Sequence, residues 1–275
     1  MLRGRHAYSP GVRVATWNVN SLRSRIGRVE AFLQRHDVDV LAVQETKARE
    51  EQLPLMGLSA MGYEVAAAGV DQWNGVAVIS RVGLDDVEVG FPGQPTWGPE
   101  NSTQPAAAEA RAIGATCRGV RLWSLYVPNG RKVGDPHYVY KLDWLARLRD
   151  AARSMTGDVA LVGDWNIAPQ DDDVFDMTQF TKSTHVTPPE RAAFQGFLDD
   201  GYVDLVRPFA PGPEVYTYWD YYRQRAERNR GMRIDFILGS RTLAERVTNA
   251  FIDREERLDE PGASDHAPVV VELAD

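Results

Sequence analysis

Asp265 and His266 stand side by side in "GASDHAPVVVEL", residues 262–273, immediately before a strand-like apolar run. A carboxylate beside an imidazole at the mouth of a buried element suits acid–base or phosphate chemistry. In isolation, Asp, Ser and Pro there are ordinary turn formers. Other polar residues occupy similar places. "ATWN" ends in Asn18, "DVDVLAVQE" in Glu45, "LYVPN" brings Tyr126, and "GDVALVGDWN" brings Asp164 and Asn166. "RIDFILGS" carries Asp235 inside an otherwise apolar strand. A buried aspartate is costly unless it is paired, and His266 is its natural partner. A carboxylate on one ring nitrogen fixes the tautomer and supports the charged form. Singly, each residue has a structural explanation: turn formers for Asn18 and Asn166, a rim hydroxyl for Tyr126, a helix-start acid for Glu45. Together at strand ends they indicate a site.

Carboxylates and amide oxygens are hard ligands, suited to Mg²⁺ or Mn²⁺ rather than zinc. A cation held by few carboxylates neutralises a phosphate during displacement. A further carboxylate can activate water, and an Asp–His pair can stabilise charge on phosphoryl oxygens. No serine elbow, phosphate-cradling P-loop or two-histidine metal motif competes with this reading. The residues point to metal-assisted hydrolysis of a phosphodiester or phosphomonoester.

The elements that must position these groups occur twice. "GVRVATWNVNS" from Gly11 is echoed by "GVRLWSLYVPN" from Gly119, each a strand pattern ending in turn residues. A helical pattern follows in both copies, with Ile26, Val29, Phe32 and Leu33 on one face of the first. Leu142, Leu145 and Leu148 are similarly spaced in the second. A second apolar strand then ends at Glu45 or at Asp164. Two similar αβ layers packed face to face are expected, with sites outside the carboxyl ends of the strands. Residues 1–10 read as an N-terminal extension and 11–275 as a single domain.

The chain has 275 residues, 43% hydrophobic and 25% charged, an ordinary globular composition. One cysteine excludes an intramolecular disulfide and a multi-thiolate zinc site. Neither a secretory signal nor a membrane-length apolar run is present, so a cytoplasmic location without a membrane partner is expected. The net charge of −8 argues against a polyanionic partner, but only weakly where charges cluster. "RQRAERNRGMR", residues 223–233, holds five arginines against one glutamate. Alone, such a run is more often a solvated helix face.

"TWNVNSLR", "LAVQETK", "LYVPNG", "LVGDWNIAP", "RIDFIL" and "SDHAPV" resemble, in order, the motifs of the exonuclease III family of DNA-repair nucleases. That family belongs to the endonuclease/exonuclease/phosphatase superfamily. The resemblance covers nearly the whole chain and implies a DNase I-like α/β fold: a four-layer α/β/β/α sandwich of two packed mixed sheets. It implies a monomeric, Mg²⁺-dependent enzyme (Mn²⁺ as substitute) acting in base excision repair on double-stranded DNA. Its reactions would be cleavage 5′ to abasic sites and removal of nucleotides or blocking groups from recessed 3′ ends.

By the same resemblance, Glu45 is the principal metal ligand, with Asn18 and Asp265 as direct or water-mediated neighbours. Asp164 activates the attacking water and Asn166 orients it. Tyr126 and His266 contact the scissile phosphate, and Asp235 orients the histidine. Lys47 and Asn129 lie on the phosphate side. Tyr218, Met232 and Ile234 match positions that wall a pocket for an extruded abasic sugar, although Ile234 reads equally as strand packing. Aromatic residues interleaved with arginines in "YTYWDYYRQRAERNRGMRIDF" fit a surface tracking a phosphate backbone, with Arg223 and Arg225 as contacts. Two alternatives remain: a phosphatase for a non-DNA phosphoester, and a non-catalytic nucleic-acid-binding regulator. The Pro-, Gly- and Ala-rich segment 90–111 reads as a long surface loop. Glu109 and Arg111 at its end read equally as a family E-x-R pattern or as an ion pair.

Overall fold

Each repeated unit is a strand whose helix returns the chain to a parallel neighbour. The computed structural model describes residues 11–98 and 105–275. The N-terminal extension 1–10 and residues 99–104 of the long loop lie outside the described residues. The first unit is β1 (Val12–Asn18), α1 (Leu22–Arg35) and β2 (Val40–Gln44). The chain continues through α2 (Met56–Ala60), β3 (Glu64–Ala68), β4 (Val76–Ser80), β5 (Asp85–Val89) and β6 (Ala112–Cys117). The second unit is β7 (Val120–Tyr126), α3 (Pro136–Ala152) and β8 (Val159–Asp164). After it come α4 (Pro188–Asp199), β9 (Val203–Asp204), β10 (Asp235–Gly239) and α5 (Arg241–Ala244). The last elements are β11 (Val247–Ile252), α6 (Arg254–Leu258) and β12 (Val269–Leu273).

Two six-stranded sheets result, ordered β11-β12-β1-β2-β4-β3 and β5-β6-β7-β8-β10-β9. The pairs β1–β2 and β7–β8 are parallel. Their outer neighbours β12, β4, β6 and β10 run antiparallel to them, so both sheets are mixed. Because side chains alternate along a strand, each strand serves two cores. Val12 and Val14 join Val120, Leu122, Val162 and Ile237 between the sheets. Ala15 and Trp17, with the opposite parity, pack under Val29, Phe32 and Leu33 of α1. Trp123, Leu125 and Phe236 likewise pack under α3 and α4. The order of layers is helix, sheet, sheet, helix.

The helical spacing holds for α1, where Val29, Phe32 and Leu33 are buried and Ile26 is half-buried. In α3 the buried stripe is rotated by one residue. Lys141, Trp144, Leu145 and Leu148 are buried, whereas Leu142 is only half-buried. Apolar spacing alone pointed to Leu142 because it could not foresee a lysine facing inward. Lys141 is buried there against the Glu190 carboxylate of α4.

Candidate active site

The parity that fills the inter-sheet core also delivers the site. Asn18 continues the inward face of Val12 and Val14, Tyr126 that of Val120 and Leu122, and Asp164 that of Ala160 and Val162. Asp235 opens β10 with the parity of Ile237 and lies directly opposite Asp164 in the antiparallel ladder. Polar groups thus replace the aliphatic core at one end of the sandwich. A network of Thr16, Gln44 and Ser124 links the sheets, with Gln44 Nε2 donating to Ser124 Oγ at 3.0 Å.

Asn18 joins the two sheets at the centre. Its Nδ2 donates to Glu45 Oε1 at 2.8 Å and to Asp164 Oδ2 at 3.0 Å. The Asp164 carboxylate accepts the Asn166 main-chain N–H at 2.9 Å. Asn166 Nδ2 donates to Val127 O at 3.0 Å, which turns its Oδ1 toward Asn129 Nδ2 and His185 Nε2. His266 Nδ1 lies 2.9 Å from Asp235 Oδ2, and Thr217 Oγ1 donates to the same carboxylate oxygen at 2.6 Å. The other ring nitrogen of His266 faces Asp164 Oδ2 at 3.8 Å. On the outer side, Lys47 Nζ is 2.9 Å from Glu45 Oε2 and also donates to Asn20 Oδ1. Asn20 Nδ2 in turn donates to Asp265 Oδ1 at 3.1 Å. Glu45 and Asp164 therefore converge on one amide, whereas Asp265 joins the site through Asn20.

Burial pushes the Asp164 carboxyl up to about 7; the Asp235 and Glu45 charges add to this, and His266 and Asn18 oppose it. For His266 burial favours the neutral ring, but the surrounding carboxylates, Asp235 foremost, prevail and raise it to about 10. His266 is therefore an imidazolium at neutral pH. Burial would also raise Glu45, yet the Lys47 ammonium and the Asn18 amide hold it below its usual value. Tyr126 is raised well above 10 by burial beside Glu45, so its phenol stays protonated and able to donate. Asp164, Asp235 and His266 offer ligand atoms within 4.8 Å of one another. The imidazole of that group is spent on Asp235, so we read it as an ion-paired triad. The oxygen set of Glu45, Asn18 and Asp265 better fits a hard divalent cation.

The turns carrying these groups are strained. Glu45 (φ 54°), Lys47 (φ 49°), Asn166 (φ 50°) and His185 (φ 84°) all adopt the left-handed region. Non-glycine residues held there cost of order 1–3 kcal/mol each, which surrounding contacts must offset.

A cavity of about 550 Å³ adjoins this cluster, with Asn129 and His185, the partners of Asn166 Oδ1, in its lining. Tyr218 and Met232 line it as well, and Arg131, Lys132, Lys182, Arg223, Arg225 and Arg230 there outnumber the single carboxylate of Asp220. The Tyr218 ring lies 4.9 Å from that of His266. Ile234 corrects the expectation of a pocket wall. It is 2% exposed just before β10 and packs with Ala168, Val174 and Val186, which close over it. The arginine run is a series of turns, and it divides. Arg223, Arg225 and Arg230 face the cavity, whereas Arg233 is buried between Asp173 and Asp204. Arg225 stacks between Phe175 and Tyr222, with its guanidinium 5.1 and 4.9 Å from the ring centres. Glu109 and Arg111 do form an ion pair, and the Arg111 guanidinium also lies 4.8 Å over the Tyr126 ring.

Sequence reasoning missed Asn20, Thr217, Lys141 and His185. Asn20 sits within a quoted motif, and "THVTPPE" contains a readable T-x-x-E helix start before α4. Nothing in the sequence signals the inward lysine.

The Endonuclease/Exonuclease/phosphatase family profile matches residues 15–266. The chain belongs to this family. Among solved structures, an AP endonuclease from Archaeoglobus fulgidus is 33% identical, with 96% of this chain and 100% of that chain covered at a TM-score of 0.88. The 3′ phosphatase NExo from Neisseria, bound to product DNA hairpin, is 34% identical over 95% of this chain and 99% of its own, with a TM-score of 0.87. Exodeoxyribonuclease III of Haemophilus influenzae is 28% identical, covering 95% of this chain and all of its own. The two solved structures share the fold of this chain. Among the described residues no helix is long and apolar enough to cross a membrane.

Proposed function

We propose that this protein is a Mg²⁺-dependent DNA-repair nuclease that cleaves duplex DNA 5′ to abasic sites and clears nucleotides or blocking groups from 3′ ends. We take residues 11–275 as a single catalytic domain, a reading supported by the core shared between the sheets. One juxtaposition carries the proposal: the Glu45–Asn18–Asp164 cluster and the His266–Asp235 pair adjoin, through Asn166 and Tyr218, a cavity whose charged lining is mainly cationic. Carboxylates alone suit a metal, and a basic cavity alone suits any polyanion. Both at one site suit hydrolysis of a nucleic-acid backbone.

Glu45, with Asn18 and Asp265 beside it, would hold the Mg²⁺, or Mn²⁺ in its place. The cation would neutralise negative charge on the phosphate oxygens. Asp164, when ionised, takes a proton from water held near Asn166. The protonated His266 donates to a phosphoryl oxygen as charge builds there, and Tyr126 O–H donates to the same group. Asp235 keeps the imidazolium charged and aligned. Met232 and Tyr218 face an extruded sugar, while Lys47, Asn129, Arg223 and Arg225 contact the backbone.

A duplex with one internal abasic analogue, end-labelled to resolve nicking from end trimming, tests this reading. Cleavage is expected in Mg²⁺ and none in EDTA. Phosphate release from soluble phosphomonoesters with an untouched duplex would favour the phosphatase alternative instead. Replacing Arg223 and Arg225 together by Gln is expected to weaken DNA binding and to flatten its log–log salt dependence by about one unit per lost phosphate contact. An unchanged slope in a salt titration would remove both arginines from the interface.

A further inference from the structure

We propose that Lys141 is a positioning residue for hydrolysis, its buried ammonium fixing the main chain beneath the substrate-facing side chains of Asn129 and Asn166. The inference rests on the role given above to Asn166. Lys141 and Glu190 are both 0% exposed, an unusual place for two charges. An ammonium has three N–H donors, and all are used. One goes to Glu190 Oε1, one to Asn166 O at 2.7 Å and one to Asn129 O at 3.3 Å. Glu190 Oε1 also accepts the His185 N–H at 2.9 Å, while Oε2 accepts the Thr187 N–H at 3.1 Å. One charge pair thus anchors the turn after β7, the turn after β8 and the segment leading into α4.

Each anchored turn contains a residue in the left-handed region, strained at Asn166 and His185 and freely adopted by glycine at Gly130. Asn166 and His185 have φ of 50° and 84°, and Gly130, which follows Asn129, has φ of 88°. A Cβ at Gly130 would lie 3.2 Å from Lys141 Cδ, so the lysine stem packs directly under that turn. Strained turns hold their shape only where the surroundings over-determine them. A leucine, the residue that the helical pattern favours here, would fill the space but leave both carbonyls without a donor. Desolvating an ion pair is costly, and apolar pairs of similar volume are often as stable. Stability alone therefore does not explain this pair. Holding Asn129 and Asn166 to within a fraction of an ångström does, because a 1 Å misplacement can cost on the order of 100-fold in rate.

The test compares Lys141→Met, Glu190→Gln, the double Lys141→Met/Glu190→Met and Asn166→Ala. Turnover and metal-free DNA binding are measured for each. Lys141→Met strands the Glu190 carboxylate and is expected to lower Tm by roughly 10 °C. The double variant removes the stranded charge and should recover only part of that loss, since the His185 and Thr187 N–H groups lose their acceptor. In the double variant kcat is expected to stay about 100-fold below wild type, with DNA affinity in EDTA within about threefold. Glu190→Gln also breaks the ion pair but leaves the ammonium on both carbonyls, so it should retain kcat within about threefold. A purely structural pair predicts equal kcat losses in Lys141→Met and Glu190→Gln, and that result would overturn the inference even if the double variant does not fold. Wild-type kcat in a stable double variant would overturn it as well, provided Asn166→Ala is impaired. A fully active Asn166→Ala would instead bring down the site assignment, and this inference with it.

Discussion

Replacing His266 by Asn, or Asp235 by Asn, is expected to lower turnover on abasic duplex DNA by about 10²–10⁴-fold. The double replacement should be scarcely worse than either single one, because residues acting as a unit are strongly non-additive. The two side chains are bonded at 2.9 Å, buried, and share Thr217 as a further donor to the carboxylate. Removing Asp235 leaves the imidazole less basic and without its orienting partner. Removing His266 leaves a buried carboxylate with nothing to orient. Fully multiplicative losses in the double variant would mean that the two act separately.

Titration of the same pair decides between two roles for the histidine. In metal-free protein, NMR should show His266 protonated until the pH approaches about 10. In Asp235→Asn that value should fall, since the largest favourable charge is gone. An unfolded histidine titrates near 6.5. The folded value is the higher one, so the associated stability is fully present below about 6.5 and is lost as the pH rises through about 10. Wild-type activity should accordingly decline on the alkaline side, and that limb should move to lower pH in Asp235→Asn. Activity that instead grows as the imidazole loses its proton would make His266 the base and displace Asp164 from that role.

Period-2 patterning made the strand ends legible. Asn18, Tyr126 and Asp164 could be placed together because each ends an apolar strand whose parity fixes its direction, whereas Glu45 lies just past β2 at a positive φ and Asp235 opens β10. The duplicated unit was legible for the same reason, and it appears as two parallel pairs in separate sheets. What could not be read is what depends on neighbours distant in sequence. Ile234 and Met232 are two residues apart, yet only Met232 reaches the cavity, because Ala168, Val174 and Val186 close over Ile234. The arginine run behaves similarly. Arg223 and Arg233 are equivalent as letters, but Asp173 and Asp204 take one of them inside. Lys141 is the sharpest case. A helical apolar stripe admits a lysine only if a carboxylate from another helix waits for it, and Glu190 lies 49 residues away.

Glu45→Gln is expected to abolish most activity at limiting Mg²⁺ and to raise the Mg²⁺ concentration needed for half-maximal rate by about 100-fold. The substitution keeps the shape and an oxygen for the Asn18 amide but removes the charge that a hard cation requires. Folding should change little. The ion pair that it breaks joins side chains 28% and 17% exposed, and such partly solvated pairs are worth about 0–1 kcal/mol. A second readout does not depend on turnover: Mg²⁺ should raise the Tm of wild type through binding linkage, and this rise should shrink in Glu45→Gln. Asp164→Asn separates the metal-side and water-side carboxylates that share Asn18. Its kcat should fall by about 10³-fold while the Mg²⁺ requirement moves far less. Were Asp164→Asn to lose the Mg²⁺-induced Tm rise and Glu45→Gln to keep it, the assignments of the two carboxylates would be exchanged. A Tm rise unaffected by either would move the cation away from this end of the sandwich altogether.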